Sequence, residues 1–205
     1  MRSPTRSLLH AGLGLFGLVA GFLTPSVAHA GGIGLVGTGG FHFDRLYYYK
    51  QNELGKYDQQ TPVDQMNSDF GGGLEILLGD KDNKVLGMFR LYYVQDAPQS
   101  DPASAADYTF KVRKDPRSIG MIDAGLSFGV LGEPDKLQGT VVGFLGSGFF
   151  TSDQTEFVQA QLGVGGTYMI ARHLQASVQV TGGSRYLKRL YPIAQGSGSI
   201  RYLFD

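Results

Sequence analysis

Between residues 158 and 186, apolar and polar side chains alternate almost without interruption. Val158, Ala160, Leu162, Val164, Gly166, Tyr168 and Ile170 hold one phase, and Gln159, Gln161, Gly163, Gly165, Thr167 and Met169 hold the other. After a break at 171–173 the pattern resumes, with Leu174, Ala176, Val178 and Val180 set against Gln175, Ser177, Gln179 and Thr181. A period of two sends successive side chains to opposite faces of a strand. Runs of about ten residues or more exceed the usual five or six of soluble sheets and suit a tilted strand crossing a bilayer. The two runs are predicted to form one hairpin of a transmembrane β-barrel.

The same pattern recurs along the chain, giving eight runs. At 32–44, Ile33, Leu35, Phe41 and Phe43 share a face. At 66–79 it is Phe70, Leu74, Ile76 and Leu78, and at 85–95 it is Phe89, Leu91 and Tyr93. At 119–131, Ile122, Ala124, Leu126, Phe128 and Val130 oppose Asp123, Gly125, Ser127 and Gly129. The run at 137–149 is weakly phased, because both of its faces are apolar or glycine, and 193–204 closes the series. Short turns are expected at 80–84, 132–136 and 171–173. Long polar loops are expected at 45–65 and 96–117, the second broken by Pro98, Pro102 and Pro116, with modest ones at 150–155 and 187–193. Alternating up and down gathers the turns at one end and the loops at the other, the asymmetry of outer-membrane barrels. The predicted fold class is all-β: an eight-stranded antiparallel up-and-down transmembrane β-barrel.

Aromatic residues favour the same orientation. Tyr47, Tyr48, Tyr49, Tyr92, Tyr93, Phe149, Phe150, Phe157, Tyr186 and Tyr191 gather toward the loop ends, and Tyr168, Tyr202 and Phe204 toward the turn ends. Two such belts are expected at two membrane interfaces. A soluble barrel would also alternate, but its apolar face would look inward and its outside would be charged. Here the polar face is mostly Gly, Ser, Thr and Gln, which suits a lumen.

Composition narrows the reading further. Residues 1–30 combine Arg2 and Arg6, an apolar stretch at 8–23, Pro25 and Ala28-His29-Ala30, the form of a secretory signal peptide. Residues 31–205 are then the barrel domain. The 18 basic and 18 acidic residues balance, so no nucleic-acid-binding surface is expected. There is no cysteine, hence no disulfide framework and no thiolate metal site. The 31 glycines are well above the usual share of about 7%, and most sit within the alternating runs, where they relieve crowding on a curved sheet.

With these patterns the chain resembles the small eight-stranded outer-membrane barrels of the OmpX and OmpA transmembrane-domain type, and the OmpW-like barrels in shape. The resemblance spans 32–204 as a pattern. Its most specific piece is Ser197-Gly198-Ser199-Ile200-Arg201-Tyr202-Leu203-Phe204, which looks like the terminal strand signal read by the barrel-assembly machinery, through Tyr202 and Phe204. It departs from that signal in a glycine one place early and in Asp205 after the last aromatic. The resemblance implies the outer membrane of a Gram-negative bacterium, reached through the periplasm, with outer-membrane lipid and lipopolysaccharide as surroundings. No cofactor is expected.

An apolar outside turns His42, Asp44, Glu75, Arg90, Asp123, Gln159, Gln161, Gln175, Gln179 and Arg201 inward. Eight strands leave an interior that such side chains can fill. Glu75, Arg90 and Asp123 are expected to anchor an ionic and hydrogen-bonded network there, as a satisfied polar core or as an ion gate. No enzyme activity is expected: acyl transfer needs a nucleophile with a base in reach, and His42 with Asp44 is the one candidate pair. The two dispersed histidines of 31–205, without a carboxylate cluster, give no metal set. The outside loops are the better functional candidates. Tyr47, Tyr48, Tyr49, Lys50 and Tyr57 lie in the first, and Tyr108, Lys111, Arg113, Lys114 and Arg117 in the second. They are suited to lipopolysaccharide phosphates, a surface glycan or an envelope protein complex. Three functions follow: a structural, adhesive or complex-forming surface protein; a small channel for apolar or amphipathic solutes; and a lipid A-modifying enzyme.

Overall fold

The computed structural model describes residues 31–51, 57–79, 84–97, 118–151, 156–187 and 189–204, with 44–51 and 57–65 described as backbone only. The leader reading at 1–30 lies outside these residues. Eight strands run in chain order: β1 (Gly31–Gln51), β2 (Tyr57–Leu78), β3 (Val85–Asp96), β4 (Ser118–Gly132), β5 (Leu137–Phe150), β6 (Glu156–Ala171), β7 (Leu174–Tyr186) and β8 (Leu190–Leu203). Each pairs antiparallel with the next, and β1 pairs with β8, so the sheet closes into a barrel.

The sequence alternation decides which way the sheet curls. Along β6, Val158, Leu162, Val164, Tyr168 and Ile170 are exposed, while Phe157, Gln159, Gln161 and Thr167 are buried. Leu35 and Leu162 keep 69% and 74% of their surface exposed on the outside, whereas Glu75 and Arg201 keep 0% and 1% inside. Closure leaves no sheet edge within the barrel wall, where the ladders satisfy the backbone groups.

Curvature this tight forces backbones together on the inside. A Cβ added to Gly73 would fall on the Leu91 carbonyl oxygen and on Tyr92, across the β2–β3 pair. A Cβ on outward-facing Gly37 would come no nearer than 3.9 Å to its closest neighbour. Gly73→Ala is therefore expected to lower stability by about 1–3 kcal/mol through strand displacement, and Gly37→Ala to leave it nearly unchanged. Urea titrations of the two folded variants check the difference; equal midpoints would remove the close-approach account.

The turn ends are compact. Gly132 adopts φ 81°, a left-handed conformation that suits glycine. The turn that follows is closed by Lys136 donating to Glu133 at 2.6 Å, which holds that carboxyl below its usual range.

Three expectations are corrected. The polar loop expected at 45–65 is instead mostly strand: β1 runs to Gln51 and β2 starts at Tyr57. Beyond His42, β1 has no β8 partner, and β2 pairs with β3 only from Asp69 onward, so 43–51 and 57–66 form a two-stranded hairpin projecting past the barrel. Charged and tyrosine-rich sequence masked a ladder that needs no apolar face. The last loop is likewise shorter than 187–193, with Pro192 inside β8. Proline is tolerated there because this end of β8 pairs only with β7. Finally, Tyr92, Phe150 and Phe157 are buried in the lumen rather than part of an outer aromatic belt. Neighbours such as Tyr92 and Tyr93 must face opposite ways, and Tyr93, Phe149 and Tyr186 take the outside.

Candidate functional site: the filled lumen

Register places Glu75, Arg90 and Asp123 in one row across β2, β3 and β4. Glu75 is the hub. Its Oε2 accepts from Arg90 Nε at 2.6 Å, and its Oε1 accepts from Arg201 Nε at 2.5 Å and from Ser199 Oγ at 3.1 Å. Arg90 also donates to Gln179 Oε1 at 2.6 Å, and Arg201 to Gln175 Oε1 at 3.1 Å. Two guanidiniums therefore share one carboxylate, and each also donates to one glutamine. Arg90 further lies over the Phe144 ring, 4.4 Å from its centroid.

Asp123 belongs to a second group. It accepts from the Tyr92 hydroxyl and from Gln159 Nε2 at 3.1 Å. Gln159 Oε1 in turn accepts from Arg185 Nη2 at 3.3 Å, and Arg185 sits 4.2 Å over the Phe157 ring. A third chain crosses four strands: Thr181 donates to Gln161 at 2.6 Å, Gln161 to Gln195 at 3.1 Å, and Gln195 to Thr38 at 2.5 Å. Apolar side chains fill the space around these groups. Tyr92, Val94, Ile119, Met121, Phe150 and Phe157 pack in the loop-side half, and Leu77, Met88, Val142, Phe144 and Leu203 in the turn-side half.

At the loop-side rim, His42 lies between two aspartates. Its Nδ1 is 3.1 Å from Asp69 Oδ2 and its Nε2 is 3.8 Å from Asp96 Oδ1, and all three side chains are buried. His42 thus meets carboxylates of β2 and β3; the side chain of Asp44, its partner on sequence grounds, lies outside the described residues. The expected lack of a carboxylate cluster does not hold, because strand pairing imports two acids from distant parts of the chain.

Of the other residues singled out by sequence, Gln159, Gln161, Gln175, Gln179 and Arg201 all turn inward and join these networks. Tyr202 and Phe204 face out, with Tyr202 stacked on His173 at 5.7 Å between centroids. Tyr47, Tyr48, Tyr49, Lys50 and Tyr57 lie on the backbone of the projecting hairpin, their side chains undescribed. Tyr108, Lys111, Arg113, Lys114 and Arg117 lie outside the described residues. Sequence reading passed over Arg185, Asp69 and Asp96, although parity was a sufficient signal: Arg185 continues the Gln175–Thr181 phase, Asp69 that of Glu75, and Asp96 that of Arg90.

No protein-family model matches the chain, and no curated protein does. Among solved structures, the crystal structure of the N-terminal β-barrel domain of Pseudomonas aeruginosa OprF is similar, at 17% identity and a TM-score of 0.39. The match covers 83% of this chain and 99% of that one.

Proposed function

We propose that the closed eight-stranded barrel is an integral outer-membrane protein whose lumen is filled and whose work is structural, adhesive or complex-forming, delivered at its loop end. The observation that carries this reading is the inverted distribution of polarity: an apolar outside around an interior packed with charges that partner one another. An apolar exterior of this extent is unfavourable in water and favourable in a lipid phase. The interior network is a poor conduit, since ions would have to break charge-assisted bonds among Glu75, Arg90 and Arg201 to pass. The loop end also offers a projecting β1–β2 hairpin, a surface available to a glycan, the phosphates of lipopolysaccharide or an envelope protein. Lys111, Arg113, Lys114 and Arg117 supply basic groups for phosphate in the same reading.

Conductance across planar bilayers tests it. The folded protein, identified by heat-modifiable gel migration, is expected to be electrically silent. A stable open pore would remove the filled-lumen reading and put in its place a small channel for apolar or amphipathic solutes.

A further inference from the structure

We propose that His42, Asp69 and Asp96 form a binding site for a divalent transition-metal ion, of which Zn²⁺ is the natural probe, at the loop-side rim of the lumen. The argument starts from register. Asp69 and Asp96 stand directly opposite one another on β2 and β3, and like charges in that position repel. Both are nonetheless buried, and they flank a single imidazole from β1, Asp69 facing its Nδ1 and Asp96 its Nε2. One donor atom from each of the three lies within 4.8 Å of the others. A first-row ion bound at about 2.0–2.2 Å holds its donors roughly 3–4.4 Å apart, so binding requires one carboxylate to turn from its own ring nitrogen toward the nitrogen that ligates the ion. With a neutral imidazole the trio carries two negative charges, the complement of the ion. One nitrogen with two carboxylate oxygens is a donor set that zinc accepts, and three protein ligands leave a position for water or an incoming group.

Position gives the site a consequence. β1 leaves β8 just past His42, and β3 reaches β2 no further than Asp69–Asp96, so the ligands occupy the root of the projecting hairpin. An ion there ties β1 and β2 to the end of β3 and stiffens the base from which the hairpin extends.

The test titrates ZnCl₂ into the untagged full chain, purified in detergent and stripped with chelator, by calorimetry. Hydrogen exchange of 43–66 is followed in parallel. The expected result is one saturable Zn²⁺ per chain with slower exchange at the hairpin root. Affinity should fall at least tenfold in Asp96→Asn and in His42→Gln but not in His173→Gln. If the rim variants fail to fold, X-ray absorption of the zinc-loaded parent decides, with a shell of one imidazole nitrogen and oxygens expected. No uptake by the folded parent, undiminished uptake by folded rim variants, or a shell without imidazole would overturn the proposal.

Discussion

Replacing Glu75 by alanine is expected to destabilise the folded barrel by about 3–5 kcal/mol, the cost of removing one partner from a buried ionic group. Glu75 is the shared acceptor for Arg90 and Arg201, and its loss leaves two guanidiniums from β3 and β8 facing each other in a closed interior. Gln175, Gln179 and Ser199 would still accept hydrogen bonds from them, but none carries charge. Glu75→Gln should fall between alanine and the parent, since it keeps volume and one acceptor oxygen. Converting Glu75, Arg90 and Arg201 together to methionine should recover most of the loss, because a buried ion cluster owes much of its apparent worth to the penalty of breaking it. Urea unfolding in lipid vesicles, followed by gel mobility, measures all three. A Glu75→Ala midpoint equal to the parent's would mean that the lumen is wet enough to solvate the arginines. The filled-lumen reading would then go with it.

Much of the barrel was legible because its two faces meet different surroundings. Where lumen residues are glutamine, serine or threonine against outward valine and leucine, as between Val158 and Thr181 in β6 and β7, phase alone assigns the side chains. Legibility failed where that contrast disappears. β5 places Val142 and Phe144 in the lumen beside Gln138 and Thr140, since apolar groups fill gaps between the ionic networks. Tyr92, Phe150 and Phe157 mislead for the same reason: an aromatic near a strand end suits an interface or a lumen, and only its parity distinguishes them. The β1–β2 hairpin was missed because a two-stranded ladder outside the closed barrel needs no apolar stripe. The His42–Asp69–Asp96 group was hidden for a different reason. Its members lie far apart along the chain, and only exact pairing brings them together.

Leu162→Arg is expected to cost about 2–4 kcal/mol of folding stability in lipid, the penalty for a charge on the outward face near the bilayer midplane. Leu162 lies near the middle of β6, and its cross-strand neighbours are Gly143 on β5 and Gly182 on β7. Neither can shield it, and Leu162 is accordingly among the most exposed apolar residues. An arginine there has only glycines directly opposite and must reach along the barrel wall toward the headgroups. At Tyr168, closer to the turn end, the same change should cost only about 0–1 kcal/mol, because the interface is near. The two variants separate a membrane barrel from a water-soluble one. In water an exposed leucine replaced by arginine shifts stability within about 0.5 kcal/mol, and depth along the strand is irrelevant. Unfolding titrations in vesicles of matched thickness give the comparison directly. A cost that falls from Leu162 to Tyr168 can arise only if the apolar band faces hydrocarbon; equal and negligible costs would leave the exterior unexplained and the outer-membrane proposal without its main support.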